Sequence, residues 1–294
     1  MHTRVLLLAV FIGFACPALA QTDVIIESIK AGDGVHMLVG QGGNIGVSTG
    51  SDGAFVIDDQ FAPLTDSILA AIRRLDDKPV RFVVNTHWHG DHTGGNENMG
   101  RAGALIVSHE NVRTRMSVEQ FMEAFDRTVP ASPPGALPVV TFTDAMTFHW
   151  NDEEIHIFHV AHAHTDGDAI VHFKRANVLH MGDTYFSGRY PFVDLASGGS
   201  INGIIEAAEQ VIALADDQTR IIPGHGGLSN RAELTTYRDV LVAMRDKIQA
   251  MVHSGMSKDA VIAAKPTQDY DAEWGAGFMK PDQWVGIVYD SLKE

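Results

Sequence analysis

The chain has 294 residues, 45% of them apolar, enough for one large core or two fused halves. Its 22 Lys and Arg stand against 37 Asp and Glu, a formal net charge of −15. That excess repels phosphate backbones and argues against nucleic acid as a partner; the expected partner is a small-molecule substrate.

Residues 1–20 read as a separate object. Arg4 supplies a positive start, Val5 to Ala15 is an unbroken apolar run, and Ala18-Leu19-Ala20 is a small-x-small cleavage site. The run is too short to span a bilayer, where about 20 apolar residues are needed. The pattern predicts a secretory signal peptide, a mature chain starting at Gln21 in the periplasm or medium, and no stable membrane anchor after cleavage. Cys16, the only cysteine, lies within the signal. The mature chain therefore has neither disulfides nor thiolate ligands, and any metal ligand must be imidazole, carboxylate or water. Residues 21–294 show no low-complexity linker and read as a single domain.

Short β-type segments follow at 35–39, 44–49 and 54–58, with Gly42-Gly43 and Ser51-Asp52-Gly53 as turn signals between them. Leu64, Ile68, Leu69, Ile72 and Leu75 recur at helical spacing. The run 80–85 predicts a buried strand. Val118, Phe121, Met122 and Phe125 follow i, i+3, i+4, i+7 and predict a short amphipathic helix, followed by a proline-rich stretch at 130–138. The interruption at 110–138 is either a surface insertion or an apolar lid over a cleft. In the second half, strands are expected at 154–160, 169–174, 178–181 and 220–222. Helices are expected at 204–214, 231–253, 257–264 and 281–292. Ser197-Gly-Gly-Ser200 is either a flexible rim or a turn ending in a helix cap. Two halves, each with strands first and helices after, fit an α/β architecture of two sheets face to face with helices outside.

The chemistry-bearing residues cluster at the ends of these runs. In His87-Trp88-His89-Gly90-Asp91-His92, residues two apart in extended backbone point the same way, so His87 and His89 can close on one ion. Asp91 and His92, past the bend at Gly90, can reach a second ion. Downstream, Ala161–Asp168 offers His162 and His164, Leu179–Thr184 offers Asp183, and Pro223-Gly224-His225 offers a last imidazole among glycines. Asp58, ending its strand, is placed to orient a ligand from behind, as metal-bound histidines require. Tyr185 is either a hydrogen-bond donor to a substrate carbonyl or a core aromatic. Arg189 is either an anchor for a substrate carboxylate or a solvated loop residue.

The H-x-H-x-D-H loop, the H-T-x-G segment, the G-D segment and the final P-G-H resemble the metallo-β-lactamase superfamily, in the family's order. The resemblance covers about residues 34–230. It implies a four-layer αββα sandwich of two mixed sheets and a pair of zinc ions at one edge. His87, His89 and His164 would hold the first zinc; Asp91, His92 and His225 would hold the second, with Asp183 bridging. His164 is preferred to His162 because it directly precedes Thr165, as the family's ligand does. The resemblance implies a metal-bridging hydroxide as nucleophile, oriented by Asp91 acting as catalytic carboxylate.

Ligand type narrows the chemistry. The superfamily's diiron oxidoreductases carry a carboxylate where this chain has His89, so zinc and hydrolysis are expected. The leading expectation is a dizinc hydrolase opening β-lactams or related cyclic amides and esters. Dedicated lactamases with Asp and His at the second zinc lack the bridging carboxylate. Asp183 instead resembles the lactonases, thioesterases and phosphodiesterases, and such an enzyme with at most promiscuous lactam activity is the alternative. Asp183-Thr184-Tyr185-Phe186 resembles the hydroxyacylglutathione hydrolases, although their C-terminal glutathione-binding motif is missing. A non-catalytic zinc-binding protein is the third reading, opposed by the full ligand set with Asp91.

Overall fold

In the computed structural model, residues 24–293 are described, and the signal-peptide reading of residues 1–20 lies outside them. The first sheet contains β1 (Glu27–Gly32), β2 (Val35–Val39), β3 (Ile45–Ser48), β4 (Ala54–Ile57), β5 (Val80–Asn85) and β6 (Leu105–His109). A hairpin of β7 (Gln120–Met122) and β8 (Arg127–Val129) projects before the sheet's last strand, β9 (Val140–Phe142). The second sheet runs in chain order through β10 (Ala145–Trp150), β11 (Glu153–His159), β12 (Ala169–Phe173), β13 (Val178–His180), β14 (Arg220–Ile222) and β15 (Ser229–Asn230). Both sheets are mixed: β4, β5, β6 and β9 pair in parallel, as do β13 and β14, and the remaining pairs are antiparallel.

Strand periodicity explains the layering. On β4, Phe55 and Ile57 face one way and Ala54 and Val56 the other, and every one of them is buried. Phe55 and Ile57 join Met37, Val84, Ile155, Ile157, Val171, Phe173 and Ile222 in a core between the sheets. Ala54 and Val56 face Ile68, Ala71 and Ile72 of α1 (Thr65–Leu75), with Met99 from α3 (Asn96–Arg101), beyond the short α2 (Gly90–Thr93). On the far side, Ile170, Leu179 and Ile221 pack under α5 (Ile201–Leu214), α6 (Arg231–His253), α7 (Lys258–Ala263), α8 (Asp271–Trp274) and α9 (Pro281–Ser291). These three cores make four layers, αββα, as the sequence led us to expect. Truncating a fully buried ring such as Phe55 to alanine costs about 3–5 kcal/mol.

The expected helix over residues 118–125 does not form. Helix α4 (Glu110–Met116) ends at Ser117, and the β7–β8 hairpin follows. Asp126 adopts a left-handed conformation (φ 46°) that closes the turn. Contacts distant in sequence decide this segment: Phe125 packs on Phe192 and Phe278, at centroid distances of 4.9 and 5.2 Å. In the observed fold Phe125 meets these partners, and such tertiary packing overrides the local helical spacing. Ser197–Ser200 is a helix-leading turn, with Ser200 Oγ accepting from Gly203 N at 2.9 Å to cap α5.

The topology brings the loops after β4, β5, β13 and β14 to one edge of the sandwich, where the parallel strands end. Asp58, the 86–92 loop, Asp183 and His225 lie on those loops, and His164 lies on the loop that enters β12 from the same edge. Open α/β sheets place their ligands at such carboxyl ends.

Candidate metal centre

The seven sequence-predicted residues converge. One ligand-type atom from each of His87, His89, His164 and Asp183 falls within 4.8 Å of the others, and Asp91, His92 and His225 form a second group by the same measure. Asp183 spans the two. Its Oδ1 is 3.1 Å from His92 Nε2, while its Oδ2 is 3.4 Å from His225 Nε2, 3.7 Å from His164 Nε2 and 3.9 Å from His87 Nε2. Asp91 Oδ2 is 3.3 Å from His225 Nε2 and 3.6 Å from His92 Nε2. The close packing requires glycine: a methyl group on Gly224 would collide with the Asp183 carboxylate, and one on Gly43 with the His92 ring.

The protons on the imidazoles can be placed by their outer partners. His92 Nδ1 lies 2.7 Å from Asp58 Oδ2, and a carboxylate can only accept, so His92 carries its proton on Nδ1. Thr86 donates its one hydroxyl hydrogen to Asp58 Oδ2 (2.8 Å), so it must accept from His87 Nδ1 (3.0 Å). His164 Nδ1 donates to the Phe192 carbonyl at 2.8 Å, and His89 Nε2 donates to Asp194 Oδ2 at 3.0 Å. In their neutral form all four imidazoles therefore turn N–H outward and a lone pair inward. His89 Nδ1 and His164 Nε2 face each other at 2.9 Å, two lone pairs that repel unless a cation or proton lies before them. His87 Nε2, His92 Nε2 and Asp183 Oδ1 are buried without any hydrogen-bond partner. Such orphaned atoms are costly unless they are coordination donors, so this donor set fits divalent metal ions.

The electrostatics differ between the two groups. Burial pushes His87 well below its usual range and His164 down to about 4, so both are neutral and competent to coordinate at neutral pH. Burial also opposes a charge on His225, but the Asp183 and Asp91 carboxylates outweigh it and lift His225 to about 9. His92 is raised above its usual range, against burial, by Asp183, Asp91 and Asp58. Asp91 is drawn down to about 2 against its own burial, chiefly by His92 and His225. The side chains of Asp91 and His225 keep 29% and 23% exposure and the other five are buried, so solvent reaches the centre from the Asp91–His225 side.

Other sequence-predicted residues fall elsewhere. Asp58 stands behind His92 and, through Thr86, behind His87, with Thr86 N donating to its Oδ1 at 2.8 Å. His162 lies outside the centre, exposed, with Nδ1 at 3.0 Å from the Gly198 carbonyl. Tyr185 is the core aromatic: it is 1% exposed, its hydroxyl is 2.7 Å from Ser229 Oγ, and its ring packs on Tyr237. Arg189 is half-buried against Gly277, on the turn that follows Phe186, whose ring stacks on His225 at 5.1 Å. Sequence reasoning missed Thr86, Phe192 and Asp194. It also missed Asp168, whose carboxylate accepts from His164 N, Thr165 N and Thr165 Oγ1 and fixes the loop bearing His164.

This geometry is that of a metallo-hydrolase fold carrying a His/Asp metal-binding cluster. The metallo-beta-lactamase superfamily model matches residues 38–225, and the chain belongs to that superfamily. A hydroxyacylglutathione hydrolase from Polaromonas sp. is 25% identical over 213 residues, covering 71% of this chain and 73% of the relative. Another of that name, from Nitrosococcus oceani, is 28% identical over 164 residues; the match covers 53% of this chain and about half (52%) of the relative. Among solved structures, a metallo-beta-lactamase from Pontibacter korlensis superposes with a TM-score of 0.60 at 19% identity, over 74% of this chain and 99% of its own. The sec-alkylsulfatase Pisa1 from Pseudomonas sp. superposes with a TM-score of 0.67 at 15% identity, over 90% of this chain and 50% of its own. At these identities the structural likeness speaks to fold.

Proposed function

We propose that this protein is a dizinc hydrolase of acyl thioesters or related activated esters, with β-lactam opening as a secondary activity. The observation that carries the reading is the position of Asp183, one carboxylate within 3.9 Å of imidazoles from both clusters. A bridging carboxylate is the feature by which the sequence resembles thioesterases and lactonases rather than dedicated lactamases. Both curated relatives described above are named for a glutathione thioester, which supports the same choice. The thiol carrier need not be glutathione, since that C-terminal motif is missing here.

Two zinc ions held by these seven residues would supply an activated water and a polarised carbonyl. The chain's own groups do the rest. Asp91, ionised and partly exposed, orients the attacking water by accepting one of its hydrogens. Asp183 and the outward N–H bonds to Asp58, Thr86, Asp194 and Phe192 hold the imidazoles in one orientation. The water oxygen bonds to the acyl carbon, the bond to sulfur or oxygen breaks, and the leaving group takes up a proton. We assign Arg189 to an anionic group on the substrate, because its turn adjoins the Phe186 ring stacked on His225. Parallel assays with a hydroxyacylglutathione, a simple acyl thioester, an acyl-homoserine lactone, a carbapenem, a cephalosporin and bis-nitrophenyl phosphate test the proposal. The thioesters should show the highest kcat/KM. A carbapenem turned over better than every thioester and lactone would overturn it.

A further inference from the structure

A three-residue segment beyond the ligand motifs grips the first cluster from behind. The Phe192 carbonyl accepts from His164 Nδ1 at 2.8 Å, Asp194 N donates to the His164 carbonyl at 3.0 Å, and Asp194 Oδ2 accepts from His89 Nε2 at 3.0 Å. The Phe192 ring lies against both imidazoles, stacked on His89 (5.9 Å) and edge-on to His164 (5.7 Å). His89 and His164 come from loops 75 positions apart, and Phe192–Asp194 touches both.

Of these contacts, the one to Asp194 decides which atom of His89 is available. Imidazole has two nitrogens, and the one opposite a bound proton is the donor to metal. With Nε2–H committed to Asp194, only Nδ1 can face His164 Nε2 and the cluster. Asp194 is itself fixed, at 3% exposure: Ser197 Oγ donates to its Oδ2 at 2.6 Å, Ser197 N lies 3.3 Å from its Oδ1, and Ser197 Oγ accepts from Trp88 Nε1 at 3.1 Å. Trp88 sits between His87 and His89, on the opposite face of the extended segment, so its indole ties the ligand loop to the same carboxylate. The chain Trp88, Ser197, Asp194, His89 is continuous and buried.

We propose that Asp194 is a positioning residue that selects Nδ1 of His89 as the metal-facing atom and thereby sets the affinity of the first cluster alone. Asp58 touches His92 directly and His87 only through Thr86, whereas Asp194 contacts ligands of the first cluster alone. Loss of such a partner typically lowers metal affinity 10–100-fold.

The inference rests on the reading that the seven donors hold two cations, and the experiment separates the two. The metal-free full chain is titrated with Zn2+ against a competing chelator and, in parallel, with Co2+ followed by its visible spectrum. Wild type should bind two ions. Asp194→Ala should lose about 10–100-fold affinity at one site, with altered first-site Co2+ bands and an unchanged second site. Asp194→Asn, which keeps an acceptor oxygen, should recover most of the loss. If Asp194→Ala does not fold, the 15N chemical shifts of His89 in metal-free wild type provide the test: Nε2–H is expected, and an Nδ1–H tautomer overturns the proposal. Equal weakening of both sites, or of neither, overturns it too. A wild type that binds no cation would instead defeat the two-cation reading.

Discussion

Replacing Asp183 with serine tests the binuclear reading most directly. The side chain is buried, and its two oxygens divide unequally between the clusters: Oδ1 is 3.1 Å from His92 and Oδ2 is 3.4 Å from His225, against 3.7 and 3.9 Å to His164 and His87. Serine removes the charge and both donor oxygens while leaving three imidazoles at the first site. A four-ligand zinc site is worth about 10–16 kcal/mol, or about 3 kcal/mol for each ligand, and every 1.4 kcal/mol is a tenfold change in affinity. Losing Asp183 should therefore weaken the second site by roughly 10²-fold, and the first by less because the carboxylate sits farther from it. Metal content after dialysis against graded chelator, measured by elemental analysis, should fall from two ions per chain to one. Equal loss of both ions would show that Asp183 does not favour the second cluster and would refute the assignment.

Asp58→Ala removes the acceptor behind His92 and should cost about 10–100-fold in affinity at the second site, with a smaller loss at the first because Asp58 also fixes the Thr86 hydroxyl behind His87. It should also lower stability by about 1–3 kcal/mol through unpaired buried groups, readable by denaturant unfolding of the metal-free protein. Metal binding should release protons at pH 7, because His225, lifted to about 9, and His92, raised above its usual range, are protonated in the metal-free chain and must be neutral to coordinate. The raised value of His225 stabilises the metal-free fold below pH about 6.5, and that contribution is lost as pH rises through 9, so affinity should climb with pH across this range. Calorimetry in buffers of different ionisation enthalpy measures the proton count; no release at pH 7 would contradict the charge assignment. If residues 1–20 are a signal peptide, the exported protein should begin at Gln21, and N-terminal sequencing that returns Met1 from the exported fraction would rule this out.

The ligands were legible because they occur in short contiguous motifs at strand ends, where two-residue alternation tells which side chains share a face. His87 and His89 needed no more than that. Helices α5, α6 and α9 were legible for a similar reason, since their apolar spacing agrees with the face they bury. The 118–125 segment was misread because its i, i+3, i+4 pattern is shared by two structures. The choice between them was made by Phe192 and Phe278, more than 60 positions away in sequence. Strand β10 gave too weak a local pattern to be expected at all, since it alternates between exposed and half-buried positions and buries none fully; β6 was passed over although its Leu-Ile-Val run is apolar and largely buried.

The groups that hold the ligands were the least legible part of the site, and the cause is chemical. An imidazole coordinates through one nitrogen only if something accepts the hydrogen on the other, and a hydroxyl, a carboxylate or any backbone carbonyl will serve. For His164 the acceptor is the carbonyl of Phe192, a group that every residue type possesses and no sequence pattern can mark. For His87 it is a threonine whose role follows only once its own hydrogen is seen to be committed to Asp58. Asp58 could be guessed because it ends a strand beside the ligand loop. Asp194 could not, because it lies 105 positions from the histidine it orients, and a surface turn would carry the same residue. Placing each N–H is therefore what turns a set of nearby histidines into a defined coordination site.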